Sequence, residues 1–133
     1  MGLWEKKANK LLPDFKKELS KSNQDLNQFF QLVLAVLNET DKVKDEEKIA
    51  NCFRFAEWCF RHKNEALWNE AGLFYQQVAQ NEELTIKWIE AELYHDLRSL
   101  LQLTISEETL AHFDKHYAEV QKKAIFEALK KVQ

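Results

Sequence analysis

The sequence predicts an all-α protein, and three observations carry this prediction. Gly occurs only twice and Pro once in 133 residues, which leaves little of the turn chemistry that β-hairpins need. Apolar residues recur at intervals of three and four, and no stretch alternates clearly with period two. Short polar segments with helix-capping residues separate these stretches. We therefore predict a single domain, residues 1–133, of five or six helices that form an antiparallel bundle or stacked helical hairpins.

The first helix is predicted to break near Leu12. Pro13 lacks a backbone N–H group and favours the first turn of a new helix. Ser22 and Asn23 are candidate caps for the next helix, residues 24–38. This helix is apolar almost all round, so we expect its second half to be deeply buried, and we expect a polar connection at residues 38–44.

The segment 45–62 is the most aromatic in the chain and is predicted to be the central helix. Acidic residues at its start suit the positive end of the helix dipole. Its aromatic residues are Phe53, Phe55, Trp58 and Phe60. Cys52 and Cys59 lie two helical turns apart, roughly 10 Å, which is too far for a disulfide. They are predicted to be reduced thiols in the core.

Three further helices are predicted to start at capping residues. Asn64 precedes a helix at 65–80, Asn81 one at 82–102, and Ser106 the last one. In the helix 82–102 the inward positions include Ile86, Ile89, Leu93 and Leu97. In the last helix Leu110, Phe113, Tyr117, Val120 and Ala124 repeat at the helical period, and Ile125, Phe126 and Leu129 continue the pattern on a shifted flank.

Charge is sorted along the chain. Residues 1–21 and 115–133 each have a net charge of +3, whereas residues 22–114 have a net charge of −9. An acidic middle argues against a nucleic-acid-binding protein, which needs a basic surface for phosphates. It favours a basic protein partner, although matching of Glu and Lys to the helix dipole explains the same pattern.

These observations predict a non-enzymatic interaction protein. Its partner is either another protein, for example a basic one, or a second copy of itself. The candidate surface combines acidic side chains with tryptophans that suit interface anchors. It consists of Trp68, Glu82, Glu83, Trp88, Glu92 and Asp96. No catalytic residue and no cofactor is predicted. The N-terminus has no apolar run of the signal-peptide type, and no membrane span is evident, so a cytoplasmic location is expected.

The alternative is a small-molecule- or metal-binding helical bundle, and in one form an enzyme, that uses His95, His112 and His116. His112 and His116 are four residues apart and share a helical face, which is a spacing that zinc sites use. The metalloprotease motif also needs Glu after its first His, and Phe113 stands there. Two ligands on one helix are far more often incidental than a metal site.

The order of elements also resembles known proteins. A Leu-Leu-Pro-Asp-Phe segment at 11–15, an acidic-started central helix and capped hairpins at Asn64 and Asn81 are similar to small uncharacterised bacterial all-helical families. Some of these are akin to helical immunity proteins of toxin systems, with HEAT-like helical pairs. The resemblance implies binding without chemistry, such as inhibition of a basic toxin, and it assigns a role to no residue.

Overall fold

The computed structural model confirms the all-α class. It describes the backbone of residues 2–43, 45–62 and 64–132, and the side chains of the same residues except 39–43. Within this part there are eight α-helices, one short 3₁₀ helix and no strand. The α-helices are α1 Leu3–Leu11, α2 Lys16–Lys21, α3 Leu26–Val43, α4 Glu46–Arg61, α5 Glu65–Val78, α6 Glu82–Trp88, α7 Ala91–Leu101 and α8 Glu107–Val132. Among these residues, none of the helices has both the length and the apolar character that crossing a bilayer needs.

Contacts along the chain group the residues into two compact units. The first is Met1–Tyr75 and contains α1 to α4 with most of α5. The second is Gln76–Gln133 and contains α6, α7 and α8. Each unit is described by itself below.

The first unit is built around α4, as the aromatic pattern predicts. The Phe55 side chain is fully buried, and its ring lies 5.6 Å from the Phe29 ring on α3 in an edge-to-face arrangement. On the neighbouring flank, Phe53 packs on Phe74 of α5 with ring centroids 6.1 Å apart. Edge-to-face and tilted aromatic pairs stabilise a fold by more than the burial of their surface area alone. A wide apolar stripe thus lets α4 contact two helices at once.

The predicted break at Pro13 is confirmed. Helix α1 ends at Leu11, and Pro13 begins the 3₁₀ helix Pro13–Phe15, where its missing N–H group costs no hydrogen bond. The predicted cap of α3 is wrong. Asp25 caps the helix, because its carboxylate accepts hydrogen bonds from the backbone N–H groups of Asn27 (3.0 Å) and Gln28 (3.3 Å).

Residues 22–24 instead form the connection before α3. The Ser22 hydroxyl donates to the Leu19 carbonyl at 2.6 Å, which closes the preceding helix. Asn23 and Gln24 have positive φ angles of 52° and 65°. The connection expected after α3 is also corrected, because the helical backbone continues to Val43. Lys44, the last residue of that expected connection, lies outside the described residues.

The helix predicted at residues 82–102 is two helices, and this raises the number above five or six. Helix α6 ends at Trp88, Ile89 is extended, and Glu90 precedes α7. The Tyr117 hydroxyl of α8 donates to the carbonyl oxygen of Ile89 (2.6 Å), the residue at the break. The same hydroxyl lies 3.2 Å from the Thr85 carbonyl oxygen, which also accepts the Ile89 N–H group. Ile86, predicted to lie inward, is 36% exposed, and the buried residues of α6 are Leu84 and Thr85.

The predicted caps of the later helices are confirmed. Asn64 accepts a hydrogen bond from the Ala66 N–H group (3.0 Å), Asn81 from that of Leu84 (3.1 Å), and Ser106 from that of Thr109 (3.1 Å). Each side chain satisfies one of the N–H groups that a helix start leaves without a partner. The last helix runs from Glu107, as its cap predicts.

The two cysteines are free thiols in the core, as predicted. Burial raises the pKa of both Cys52 and Cys59 to about 12, so the reactive thiolate is scarce at neutral pH.

We therefore expect Ellman's reagent to label the native protein at least about a hundredfold more slowly than the urea-unfolded protein, because labelling requires local or global opening. The unfolded protein, which should release two equivalents of thionitrobenzoate, is the internal control. Rapid labelling of either Cys52 or Cys59 in the native state would contradict this burial.

Candidate functional site

The acidic candidates of the second unit are all exposed. Glu82 and Glu83 lie in the first turn of α6, where Asn81 caps the helix. Glu92 and Asp96 lie one turn apart on α7. Residues 82–101 hold five acidic and two basic side chains, a net charge of −3, so this unit has an acidic surface on its first two helices.

The two tryptophans of the predicted surface belong to different units. Trp88 ends α6 and is half-buried, with the Lys87 ammonium 5.5 Å from its ring centroid. Trp68 lies on α5 in the first unit, is 39% exposed, and stacks on Phe60 at 5.9 Å. Only Trp88 can therefore be assigned to the same unit as the acidic residues.

The three candidate histidines do not form one cluster. The His112 Nδ1 atom lies 3.8 Å from a Glu82 carboxylate oxygen, and both side chains are well exposed. His116 is half-buried with its ring against the edge of Tyr117, and His95 lines a different surface on α7. In the described residues there is no group of three or more His, Cys, Asp or Glu side chains that could hold a metal ion.

A polar cluster joins α7 to α8. The Arg98 guanidinium donates two hydrogen bonds to the Asp114 carboxylate, at 2.8 and 2.7 Å, and the Tyr94 hydroxyl donates a third at 2.8 Å. The Arg98 hydrogen bonds hold the pKa of Asp114 below its usual value. Burial and the neighbouring carboxylate raise the pKa of Tyr94. These three hydrogen bonds connect α7 to α8.

The cluster also fixes which part of α7 lies beside α8. A small cavity of about 150 Å³ is lined by Ala91, Tyr94, His95, Arg98, Asp114, Tyr117, Ala118 and Gln121. The start of α7 therefore adjoins α8 near Ala118. Beyond that point α8 continues for another 14 residues, or roughly 21 Å.

This extension of α8, residues 118–132, is exposed throughout. Its large apolar side chains are Val120 (40% exposed), Ile125 (62%), Phe126 (63%), Leu129 (60%) and Val132 (85%). Contiguous exposed apolar side chains are uncommon on monomers and mark interaction surfaces. They are accompanied by four Lys and two Glu, so the extension has a net charge of +2.

Five residues of the α8 extension share one stripe, which does not include Val120 or Phe126. Ala118, Lys122, Ile125, Leu129 and Val132 follow steps of four, three, four and three, which is the spacing of a helix that packs along another helix. The sequence pattern placed Val120 and Ala124 in a helical repeat, with Ile125 and Leu129 on a shifted flank, and the predicted binding surface included none of them. The available signal for this surface was the shift of the apolar repeat at Ile125, because apolar residues on a different flank of the helix contact different neighbours.

The chemistry of the second unit thus consists of an acidic surface on α6 and α7, a self-satisfied Arg–Asp–Tyr cluster, and a basic, apolar-striped helix extension. Comparison of the chain with protein-family models, with curated proteins and with solved structures found no match.

Proposed function

We infer that the chain is a non-enzymatic protein-interaction module and that its partner is a second copy of itself. The observation that carries this proposal is the exposed stripe on the α8 extension. A helix with this stripe would be expected to bury it against another helix, since apolar area left in water has a free-energy cost. In the proposed dimer, the α8 extension of one copy packs against the α8 extension of the other.

Charge complementarity supports the choice of a second copy. The α8 extension is basic, whereas residues 76–117 of the same unit have a net charge of −5. Each copy thus carries both a basic helix and an acidic surface for its partner. The acidic surface predicted from the sequence, with Glu92 and Asp96, takes the role of a receptor for basic side chains.

An antiparallel arrangement of the two extensions uses these charges best. A parallel pair would place the lysines of both copies side by side. In an antiparallel pair, Lys130 and Lys131 of one copy approach the region of Ala118 in the other copy. Ala91 and His95 of α7 line the cavity in that region, and each is followed by an exposed acidic residue, Glu92 and Asp96. Opposed helix dipoles also favour antiparallel pairing.

The dimer is expected to be of modest affinity. A stable interface buries roughly 800 Å² on each partner, and a stripe of three large apolar side chains with one alanine and one lysine is small by that measure. We expect a dissociation constant of micromolar order, and weaker binding as salt rises, because the charge pairs are exposed to solvent.

Sedimentation equilibrium over a range of protein and salt concentrations tests this proposal. The variant Ile125→Glu/Leu129→Glu should be monomeric, because it places charge in the stripe at positions that are exposed in the monomer. The variant Lys130→Glu/Lys131→Glu should raise the dissociation constant by about tenfold or more. Adding Glu92→Lys/Asp96→Lys to it should restore binding, because the charges are then exchanged.

The matched control is Lys16→Glu/Lys17→Glu, which makes the same charge change at exposed positions of α2. It should leave the dissociation constant within about twofold of the wild-type value. A wild-type protein that stays monomeric at all concentrations would overturn the proposal, as would equal weakening by the control variant.

The other hypotheses remain predictions. An immunity-type inhibitor would use the acidic surface for a basic heterologous protein, and a monomeric wild-type protein would direct the search there. A small-molecule or metal site at His95, His112 or His116 would show as stoichiometric metal in untagged protein, lost on His112→Ala.

A further inference from the structure

The first unit has an open groove between α1 and α4 that the proposed dimer does not use. Its volume is about 440 Å³. It is lined by Lys7, Leu11, Arg54, Glu57, Trp58, Arg61 and His62. Two arginines, a lysine and a histidine thus surround an indole ring, and one carboxylate is the sole acid among these lining residues.

The residues of α4 reach this groove because of their spacing. Arg54, Trp58 and Arg61 lie four and three residues apart and so share one face of the helix. Arg61 is paired with Glu57 at 3.5 Å, and an Arg54 guanidinium nitrogen donates to Asn51 at 2.6 Å. Even with Glu57 counted, the groove has a formal charge of +2 at neutral His62.

The aromatic wall of the groove consists of rings that pack on one another. Trp58 is half-buried and stacks on the fully buried Phe55, with ring centroids 6.4 Å apart. The His62 ring lies 4.9 Å from the indole, and its Nδ1 atom accepts a hydrogen bond from the Asn64 N–H group at 3.3 Å. That bond leaves Nε2 as the nitrogen that can donate.

Cations near the end of α4 are also what the helix dipole favours, so charge alone does not indicate a site. The dipole of α4 does not account for Lys7, which comes from α1 and places its ammonium 5.7 Å from the Trp58 centroid. A helix contact would be better served by apolar side chains than by gathered like charges, which repel one another. An anion in the groove would relieve that repulsion.

We propose that this groove binds a small anion that bears a planar ring. The ring packs against Trp58 and Leu11, and the anionic group accepts hydrogen bonds from Arg54, Arg61 and Lys7. Arg presents donors in a planar fork that matches both carboxylate and phosphate, so the shared chemistry is an oxyanion attached to an aromatic ring. A nucleoside monophosphate and an aromatic carboxylate are the two sources of this chemistry.

Isothermal titration calorimetry with adenosine 5′-monophosphate and with 1-naphthoate distinguishes the two sources. We expect saturable binding of at least one, and the tighter ligand identifies phosphate or carboxylate as the preferred group. Adenosine has the ring without the anionic group, and inorganic phosphate has the anionic group without the ring. Each should bind at least about tenfold more weakly than the monophosphate. No saturable binding of either compound, or adenosine binding as tightly as its monophosphate, would overturn the proposal.

Variants locate the binding. Arg54→Gln/Arg61→Gln should weaken binding by about tenfold or more, because it removes the two guanidinium forks. The matched control Lys17→Gln/Lys21→Gln removes the same charge at exposed positions of α2 and should change affinity by less than about twofold. Equal losses in the two variants would show unspecific attraction and overturn the site. Trp58→Leu should weaken binding of the ring-bearing ligand and leave the affinity for inorganic phosphate unchanged. Circular dichroism checks that this variant keeps the native helix content.

Discussion

Replacement of Phe55 by Ala is expected to cost about 3–5 kcal/mol of the free energy of unfolding. The side chain is 0% exposed, and its ring contacts Phe29, Phe30 and Trp58 at centroid distances of 5.6, 5.6 and 6.4 Å. Ala would leave a cavity where three aromatic rings meet, and the surrounding helices can collapse into it only in part. Urea unfolding followed by far-ultraviolet circular dichroism measures the loss.

Phe126→Ala is the matched control for this prediction. The chemical change is the same, but Phe126 is 63% exposed on the α8 extension. At a dilution where the protein is monomeric, we expect a change within about 0.5 kcal/mol, because the substitution creates no cavity. A loss below about 1 kcal/mol for Phe55→Ala would contradict the placement of α4 at the centre of the first unit.

Removal of the Asp114 carboxylate is expected to be the second largest effect, a loss of about 1–3 kcal/mol for Asp114→Ala. The change removes the acceptor of three hydrogen bonds, from Arg98 and from the buried Tyr94. The side chains of Asp114 and Arg98 are 39% and 43% exposed, so solvent screens the ion pair and keeps the loss below that of a buried pair.

The stabilisation by Asp114 is expected to depend on pH in a definite direction. The pKa of Asp114 is lower in the folded protein than its usual value near 3.8, because Arg98 bonds to the carboxylate. The stabilisation is therefore fully present well above the usual pKa of 3.8 and is lost as the pH falls through the folded pKa. Asp114→Asn keeps an oxygen for Tyr94 but does not titrate, so its difference from wild type should be large at pH 7 and vanish at the acid end.

Glu119→Ala is the control, since Glu119 lies five residues further along α8 and is exposed. We expect it to change stability by less than about 0.5 kcal/mol at any pH. A wild-type protein whose advantage over Asp114→Asn is the same at all pH values would contradict the assignment of this pKa.

The elements predicted from the sequence succeed where their signals are local. Asn64, Asn81 and Ser106 cap helices because each side chain bonds to an N–H group two or three residues away. Pro13 starts the 3₁₀ helix because its ring restricts its own backbone. The cap of α3 was misassigned because Asn23 and Gln24 take positive φ angles, a conformation that only Gly adopts freely.

The candidate sites were predicted only in part, because the signals in the sequence are local. The acidic character of α6 and α7 follows from counting charges, and Glu82, Glu83, Glu92 and Asp96 are exposed as a binding surface requires. The groove beside Trp58 was missed, because Lys7 approaches it from a distant part of the chain. Sequence spacing places residues on one face of a helix but does not show which other helix meets that face.

The sequence alone was sufficient for the helical class, for most helix starts and for the buried cysteines, because periodicity and capping act over a few residues. The tertiary structure decided the break between α6 and α7, where the Tyr117 hydroxyl bonds to carbonyls about thirty residues earlier. It also decided that α8 is covered as far as Tyr117 and exposed beyond it, although its apolar residues recur along its length. Burial depends on which elements lie opposite, and that is a property of the fold.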